Sequence, residues 1–362
     1  MQPLPSLERD PFLDALRGFA LVGILAVNLE IFAGVGLYAA LHGASPGYEL
    51  GREVLAFFFS GKFYTIFSIL FGLGLALQHR RFVEAGLDAQ KLLRRRLGWL
   101  LGVGALHGVF LFEGDILAAY ALVGLFALRY LGRPHRPAQI ALLLLAGYAL
   151  YFLLTFFTRD SAVWNELYNN EVMRTGGFWA VSLERFSFWF SGTLLGVLIQ
   201  GVELLGLFLL GMYLAPRWQT YGPTVLWRVV AAGLLVGIPA NLYNAAHPEL
   251  QPLRGLGGLA FALVYMALFR LLWPRLGWLQ RLRYAGRLPL SNYLLQSAVM
   301  STVFYGYGLG LYGTVHPLWF PAIAVGFVAL QVALSRWWLA RFGQGPLERL
   351  WRDFTYRGIS PT

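Results

Sequence analysis

The chain has 362 residues, of which 57% are hydrophobic and only 13% charged, against about 25% charged in soluble domains. That balance excludes a water-soluble domain and defines a polytopic membrane protein. The absence of cysteine excludes disulfides, thiolate metal sites and a Cys nucleophile. The net charge of +11 reads as the Lys/Arg bias of loops on one side of a membrane, and no nucleic-acid partner is expected.

Apolar stretches long enough to cross hydrocarbon recur along the chain. They predict ten transmembrane helices near 12–34, 54–77, 97–112, 115–131, 138–157, 192–214, 223–243, 256–273, 288–309 and 317–341. The first carries Asp14 and Arg17 and lacks a small-x-small cleavage site, so it is retained rather than removed as a signal peptide. With the N-terminus inside, Arg9 and Arg17 are cytoplasmic. Arg80, Arg81, Lys91, Arg94, Arg95 and Arg96 then fall in the first inner loop, and Arg129, Arg133 and Arg136 in the second. Further inner groups follow at 217–228, 270–287 and 336–357, so that 23 of 29 basic residues share one side. A helix missed early would invert every later loop and destroy this pattern. The fold class is therefore all-α, a polytopic helical bundle, N-in and C-in, forming a single transmembrane domain over 1–362.

The longest extracytoplasmic loop, 158–191, is rich in Trp, Tyr and Asn and is either a cap over an acceptor surface or a plain solvated loop. At 345–357, Gly345-Pro346 opens an amphipathic helix expected on the cytoplasmic surface, with Glu348 and Arg352 paired four residues apart. Gly98/Gly102, Gly104/Gly108 and Gly192/Gly196 have the spacing of close helix crossings.

Ionisable groups at membrane depth are costly and pair, snorkel or bind something polar. Asp14 and Arg17 share a helical face, either as an ion pair or as part of a ligand site. Asn28, Glu30 and Lys62 share an outer level with His107, Glu113 and Asp115, and His42 lies in the loop just outside. Glu113 and Asp115 either cap the helix that follows or orient an imidazole as general base. Lys62 is either an electrostatic clamp or a stabiliser of negative charge on a substrate. His107, Glu113 and Asp115 lack regular metal-ligand spacing, so no metal is expected. The absence of a P-loop, a Rossmann fingerprint and a GxSxG elbow argues against nucleotide hydrolysis and soluble-type cofactor chemistry.

Five ordered blocks, LDALRGFALVGILAVN, GKFYTIFSILFGLGLAL, LHGVFLFEGDILAAYALVG, GRLPLSNYLLQS and GPLERLWR, closely resemble the YeiB-like family of bacterial membrane proteins. The first block also resembles the opening helix of acyltransferase-3 and heparan-glucosaminide acetyltransferase-like proteins, which move acyl groups from a cytoplasmic donor to an acceptor on the far side. Where acyltransferase-3 proteins carry a histidine, this chain has Asn28. The glucosaminide acetyltransferase-like pattern has Asn there and a catalytic His shortly after, where this chain offers His42. The resemblance implies a bacterial cytoplasmic membrane, with Asp14 and Arg17 at the inner mouth, Asn28 as a polar ligand and His42 or His107 as base.

These features point to a transmembrane acyltransferase in which acyl-CoA is a co-substrate and no cofactor is tightly bound. The CoA phosphates would dock on Arg17 and on Arg94, Arg95 and Arg96, unless those three are only positive-inside charge. His107 or His42 would take the proton of a sugar or lipid acceptor, oriented by Glu113 and Asp115, with Lys62 and Asn28 at the oxyanion. The alternatives are a transporter or flippase using the Lys62, Glu113 and Asp115 level, and a lipid-binding membrane protein without turnover.

Overall fold

The computed structural model describes residues 10–133, 136–155, 170–247 and 253–357, and no strand occurs among them. Helix α1 (Pro11–Phe32) starts where the Asp10 carboxylate accepts from Phe12 N at 2.9 Å and Pro11 takes the first helical position. Short helices α2 (Val35–His42) and α3 (Pro46–Phe58) lead to α4 (Lys62–Glu84), α5 (Ala89–Phe110), α6 (Leu117–Ala127) and α7 (Arg136–Thr155). After α8 (Asn170–Thr175) come α9 (Phe178–Ile199), α10 (Gly201–Leu214), α11 (Pro223–Ala246) and α12 (Arg254–Leu272). The short α13 (Gly277–Arg281) and α14 (Arg283–Gly286) precede α15 (Pro289–Phe304), α16 (Phe320–Phe342) and α17 (Pro346–Tyr356).

Five segments among the described residues are long and apolar enough to cross a membrane: Pro11–Phe32, Pro46–Glu84, Pro223–Ala246, Arg254–Leu272 and Pro317–Phe342. Three shorter apolar helices, Leu117–Tyr130, Pro137–Tyr148 and Gly201–Leu214, join them. Leu142, Leu143, Leu235 and Leu309 each leave 70% or more of their surface exposed, a pattern that fits hydrocarbon and not water. The protein is an all-α, multi-pass membrane protein.

Helix α1 lies at the centre, packed against α4, α12, α13, α14, α15 and α16. Its approach to α14 is backbone to backbone. A Cβ at Gly18 would strike Leu282 O, and one at Gly286 would strike Asp14 O. The α4–α10 crossing is built the same way, with Gly72 against Phe208 O and Gly211 against Ile69 O. Between α15 and α16 the contact is polar. Asn292 Nδ2 donates to Ser335 Oγ at 3.0 Å, and Gln296 Nε2 to Gln331 Oε1 at 2.9 Å, partners that hydrocarbon itself would not supply.

The structure departs from the expected helices at defined places. The span expected at 54–77 is interrupted at Gly61, whose φ of +82° suits glycine and few other residues. Lys62 is thus the first residue of α4 rather than a mid-span charge. Arg94, Arg95 and Arg96 lie within helix α5, not in a loop, because Asp88 caps α5 by accepting from Lys91 N at 2.9 Å. The loop expected at 158–191 is helical in α8 and again from Phe178, while 156–169 fall outside the described residues. Gly104 and Gly108 do meet neighbours, Ala118 and Trp189, but Gly98 and Gly102 face open space, and Gly192 meets only Phe188 of its own helix.

Helix α17 forms, but Glu348 does not pair with Arg352. Its carboxylate accepts from Leu290 N at 2.9 Å, from Ser291 N at 3.0 Å and from Ser291 Oγ, and so caps α15. Trp351 Nε1 donates to Arg96 O at 2.9 Å, which docks the apolar side of α17 on α5. Capping three donors outweighs a solvent-exposed ion pair.

Gly286→Ala is expected to lower the melting temperature of the detergent-purified protein, because backbone must move to admit the methyl group. Gly98→Ala, placed in open space, is expected to leave it unchanged or raise it slightly.

Candidate functional site

A cavity of about 1970 Å³ runs beside α1 from Asp14 to Ile31 and beside α4 from Gly61 to Arg81. Asp14 to Ile31 is roughly 25 Å of helix at the α-helical rise, close to the thickness of a hydrocarbon core. Its middle is apolar, lined by Leu21, Ile24, Phe67, Leu70 and Phe71. Its two ends are polar and differ in kind.

One end is basic. Arg17, Arg81, Arg96, Arg287, Arg352 and Arg357 line it, against Asp10, Asp14, Glu348 and Asp353. Arg17 Nη1 donates to Asp14 Oδ1 at 2.7 Å. Arg96 stacks on the Trp351 ring, 4.2 Å from its centre. Arg287 Nε and Gln78 Oε1 are sealed from solvent and have no hydrogen-bond partner among the described residues, although both residues line the cavity. The expected arginine cluster divides here: Arg96 faces the cavity, Arg95 donates to Arg357 O at 2.8 Å, and Arg94 is exposed. Asp10 and Arg357, the first and last described residues, both line the cavity.

The far end carries Asn28, Glu30, Tyr64, Glu113, Asp115, Tyr148, Glu203 and Arg254. Glu113 and Asp115 sit on the tight connection between α5 and α6. Asp115 both caps α6, accepting from Leu117 N at 3.1 Å and Ala118 N at 2.9 Å, and meets His107 Nδ1 at 2.8 Å. His107 Nε2 lies 2.8 Å from Ser297 Oγ, so an Asp115–His107–Ser297 relay joins α6, α5 and α15. His107 and Ser297 are each 1% exposed and stand behind the cavity wall, with Asp115 and Tyr293 in front. Asp115 contributes to the cavity lining, but the side chains of Asp115 and His107 are both fully buried.

Glu113 does not orient the imidazole. Its carboxylate accepts from Tyr305 OH at 2.8 Å and lies 3.3 Å from Arg185 Nε, with both charged side chains fully buried. Arg185 also donates to Phe110 O at 2.8 Å and to Tyr307 OH at 3.0 Å. Lys62 is buried, and its ammonium donates to Ala56 O at 2.6 Å near the C-terminal end of α3; it does not line the cavity. His42 is exposed on α2, stacked on Tyr38, and is not brought to the cavity. Sequence reasoning missed Arg185, Ser297, Tyr305, Tyr148 and Tyr64 as members of this end. Arg185 was the most readable of them, a charge directly before the aromatic run FSFWF.

These features define a class: a multi-pass α-helical membrane protein that encloses a bundle-length cavity with unlike polar ends. Within that class the chain belongs to the YeiB-like family. Residues 216–358 match the family described as Protein of unknown function (DUF418). The chain is 32% identical to YxaH of Bacillus subtilis (strain 168), over all of this chain and 98% of that protein. It is 30% identical to YeiB of Escherichia coli (strain K12), over 98% of each. No solved structure matches the chain.

Glu113→Gln is expected to destabilise the protein by about 3–5 kcal/mol, since it strands a buried guanidinium. Arg185→Met added to it is expected to recover part of that loss. Chemical or thermal unfolding of the two single variants and the double variant measures the coupling.

Proposed function

We propose that the protein is a membrane acyltransferase that accepts an acyl group from a cytoplasmic acyl-CoA-type thioester and passes it to an acceptor at the opposite end of the cavity. The observation that carries this reading is the cavity itself, apolar in its middle, arginine-lined at one end and furnished with carboxylates, phenols and an amide at the other. Arg17, Arg96 and Arg287 would hold the phosphates of the donor, with charge-assisted hydrogen bonds in a site partly shielded from solvent. The basic end is assigned to the cytoplasm by the side preference of Lys and Arg, in the inner membrane of a bacterium.

The thioester carbonyl would lie toward the far end, where the Asn28 amide donates to its developing oxyanion. The acceptor oxygen attacks the carbonyl carbon, its proton passes to a carboxylate that faces the cavity, and the C–S bond breaks. The departing thiolate takes up that proton and leaves as the free thiol. The contact with His107 holds Asp115 in place from behind the wall.

Carriage of a small solute or lipid across the membrane draws on the same bundle-length cavity and is the second reading. Thermal-shift titration with CoA, acetyl-CoA and a long-chain acyl-CoA separates them. A saturable rise in melting temperature, as for any compound that binds the folded state alone, is expected. It should vanish in Arg96→Gln/Arg287→Gln and persist in Arg94→Ala, whose side chain is exposed outside the cavity. No shift with any thioester overturns the donor assignment, and solute-driven proton or ion flux in proteoliposomes without acylated product would put transport in its place.

A further inference from the structure

At the far end of the cavity four side chains from four helices converge: Tyr64 of α4, Tyr148 of α7, Glu203 of α10 and Arg254 of α12, all in its lining. The Tyr148 hydroxyl donates to the Glu203 carboxylate, and Arg254 is the nearest cation acting on that carboxylate. Tyr64 lies within the field of the same three groups. The convergence is tight, since a Cβ at Gly255 would lie 3.2 Å from the Tyr148 ring and 3.6 Å from Glu203 Oε1. Glu203 is 9% exposed and Tyr148 6%, whereas Arg254, the first residue of α12, is both cavity-lining and exposed. Arg254 is therefore the most accessible member of the cluster.

We propose that this cluster binds a neutral, hydroxyl-bearing head group, glycosyl or polyol, and that Glu203 is the base that takes the proton of the hydroxyl being acylated. The base assignment rests on the acyl-transfer reading; the binding site does not. The argument for a neutral head group is one of charge. Glu203 is opposed by Arg254 and Glu113 is paired with Arg185, while Asp115 accepts from the Leu117 and Ala118 amides and meets His107. An ammonium group would meet Arg254 and a phosphate would meet Glu203, each a repulsion at low dielectric. A hydroxyl suffers neither. It donates to the carboxylate and accepts from the guanidinium or a phenol, while the rings of Tyr64, Tyr148 and Phe188 give the C–H face of such a head group an apolar surface.

His107 cannot serve in this role from its observed position, because its Nε2 faces Ser297 Oγ and not the cavity. Glu203 faces the cavity directly. In the transfer step the hydroxyl oxygen forms the bond to the thioester carbon as its proton moves to Glu203. The C–S bond then breaks, and the thiolate leaves with the electron pair and recovers the proton, so an ester and a thiol are the products.

The test uses full-length protein in lipid nanodiscs and two probes. Methyl β-D-glucopyranoside, followed by isothermal titration calorimetry, represents a free head group. A monoglucosyl diacylglycerol in the nanodisc, followed by native mass spectrometry, represents a lipid-borne one. Saturable binding of at least one probe is expected, weakened about tenfold or more by Glu203→Gln and by Tyr148→Phe, with the CoA-induced thermal shift unchanged in both variants. Which probe binds identifies the source. Absence of saturable binding by both probes, or binding by both variants equal to that of the unaltered protein, overturns the proposal. If CoA gives no shift while a glucoside binds in a Glu203-dependent manner, the donor reading falls and the head-group site stands. Tyr148→Phe, which keeps the ring and removes only the hydroxyl, carries the test should Glu203→Gln fail to fold.

Discussion

Arg185 and Glu113 place a full positive and a full negative charge where neither side chain touches solvent. Such a pair is tolerable only when the remaining donors and acceptors are met. Tyr305, Tyr307 and the Phe110 carbonyl meet them. The consequence is geometric. Helix α9, the connection from α5 to α6, and the segment after α15 are held at one point, and Asp115 follows Glu113 by two residues. The position of Asp115, and with it the hold on His107, depends on this knot. Its neighbour in the cavity, the Glu203–Arg254 pair, differs in having an exposed cation. One pair fastens the far end, while the other leaves its cation accessible.

The cavity persists because α1 and α4 are positioned by close contacts on their other faces. Gly18 and Gly286 bring α1 onto α14, and Gly72 and Gly211 bring α4 onto α10, which leaves the sides carrying Ile24, Phe67 and Phe71 along the cavity. Close packing at glycine and looseness along the aromatic and aliphatic lining are two faces of one arrangement.

Much of this was readable from residues alone. An apolar composition and recurring spans led to an all-helical membrane bundle, and Asp14, Arg17 and Asn28 stood out because charge and amide are rare at that depth. Asp115 was read as either a cap or a partner of His107, and the structure shows it making both contacts. Other features were hidden for physical reasons. Lys62 looked like a mid-span charge because a left-handed glycine leaves little trace in a hydrophobic run. Arg94, Arg95 and Arg96 looked equivalent, yet helical geometry sends one to the cavity, one to a backbone carbonyl and one outward. Ser297 and His107 are 190 positions apart, and Arg185 meets partners from two distant segments. Such pairings exist only once tertiary structure is formed.

Glu348 carries a consequence for how the chain is completed. The carboxylate that closes the first turn of α15 belongs to the last described helix, some 57 residues later, and that same helix seats its tryptophan on α5. During synthesis α15 therefore emerges with its leading amides unfulfilled, and they stay so until α17 has followed it. Truncation before α17 would leave those amides open and free the Arg96 carbonyl that Trp351 engages. Helix α17 thus works as a latch that joins the start of α15 to α5.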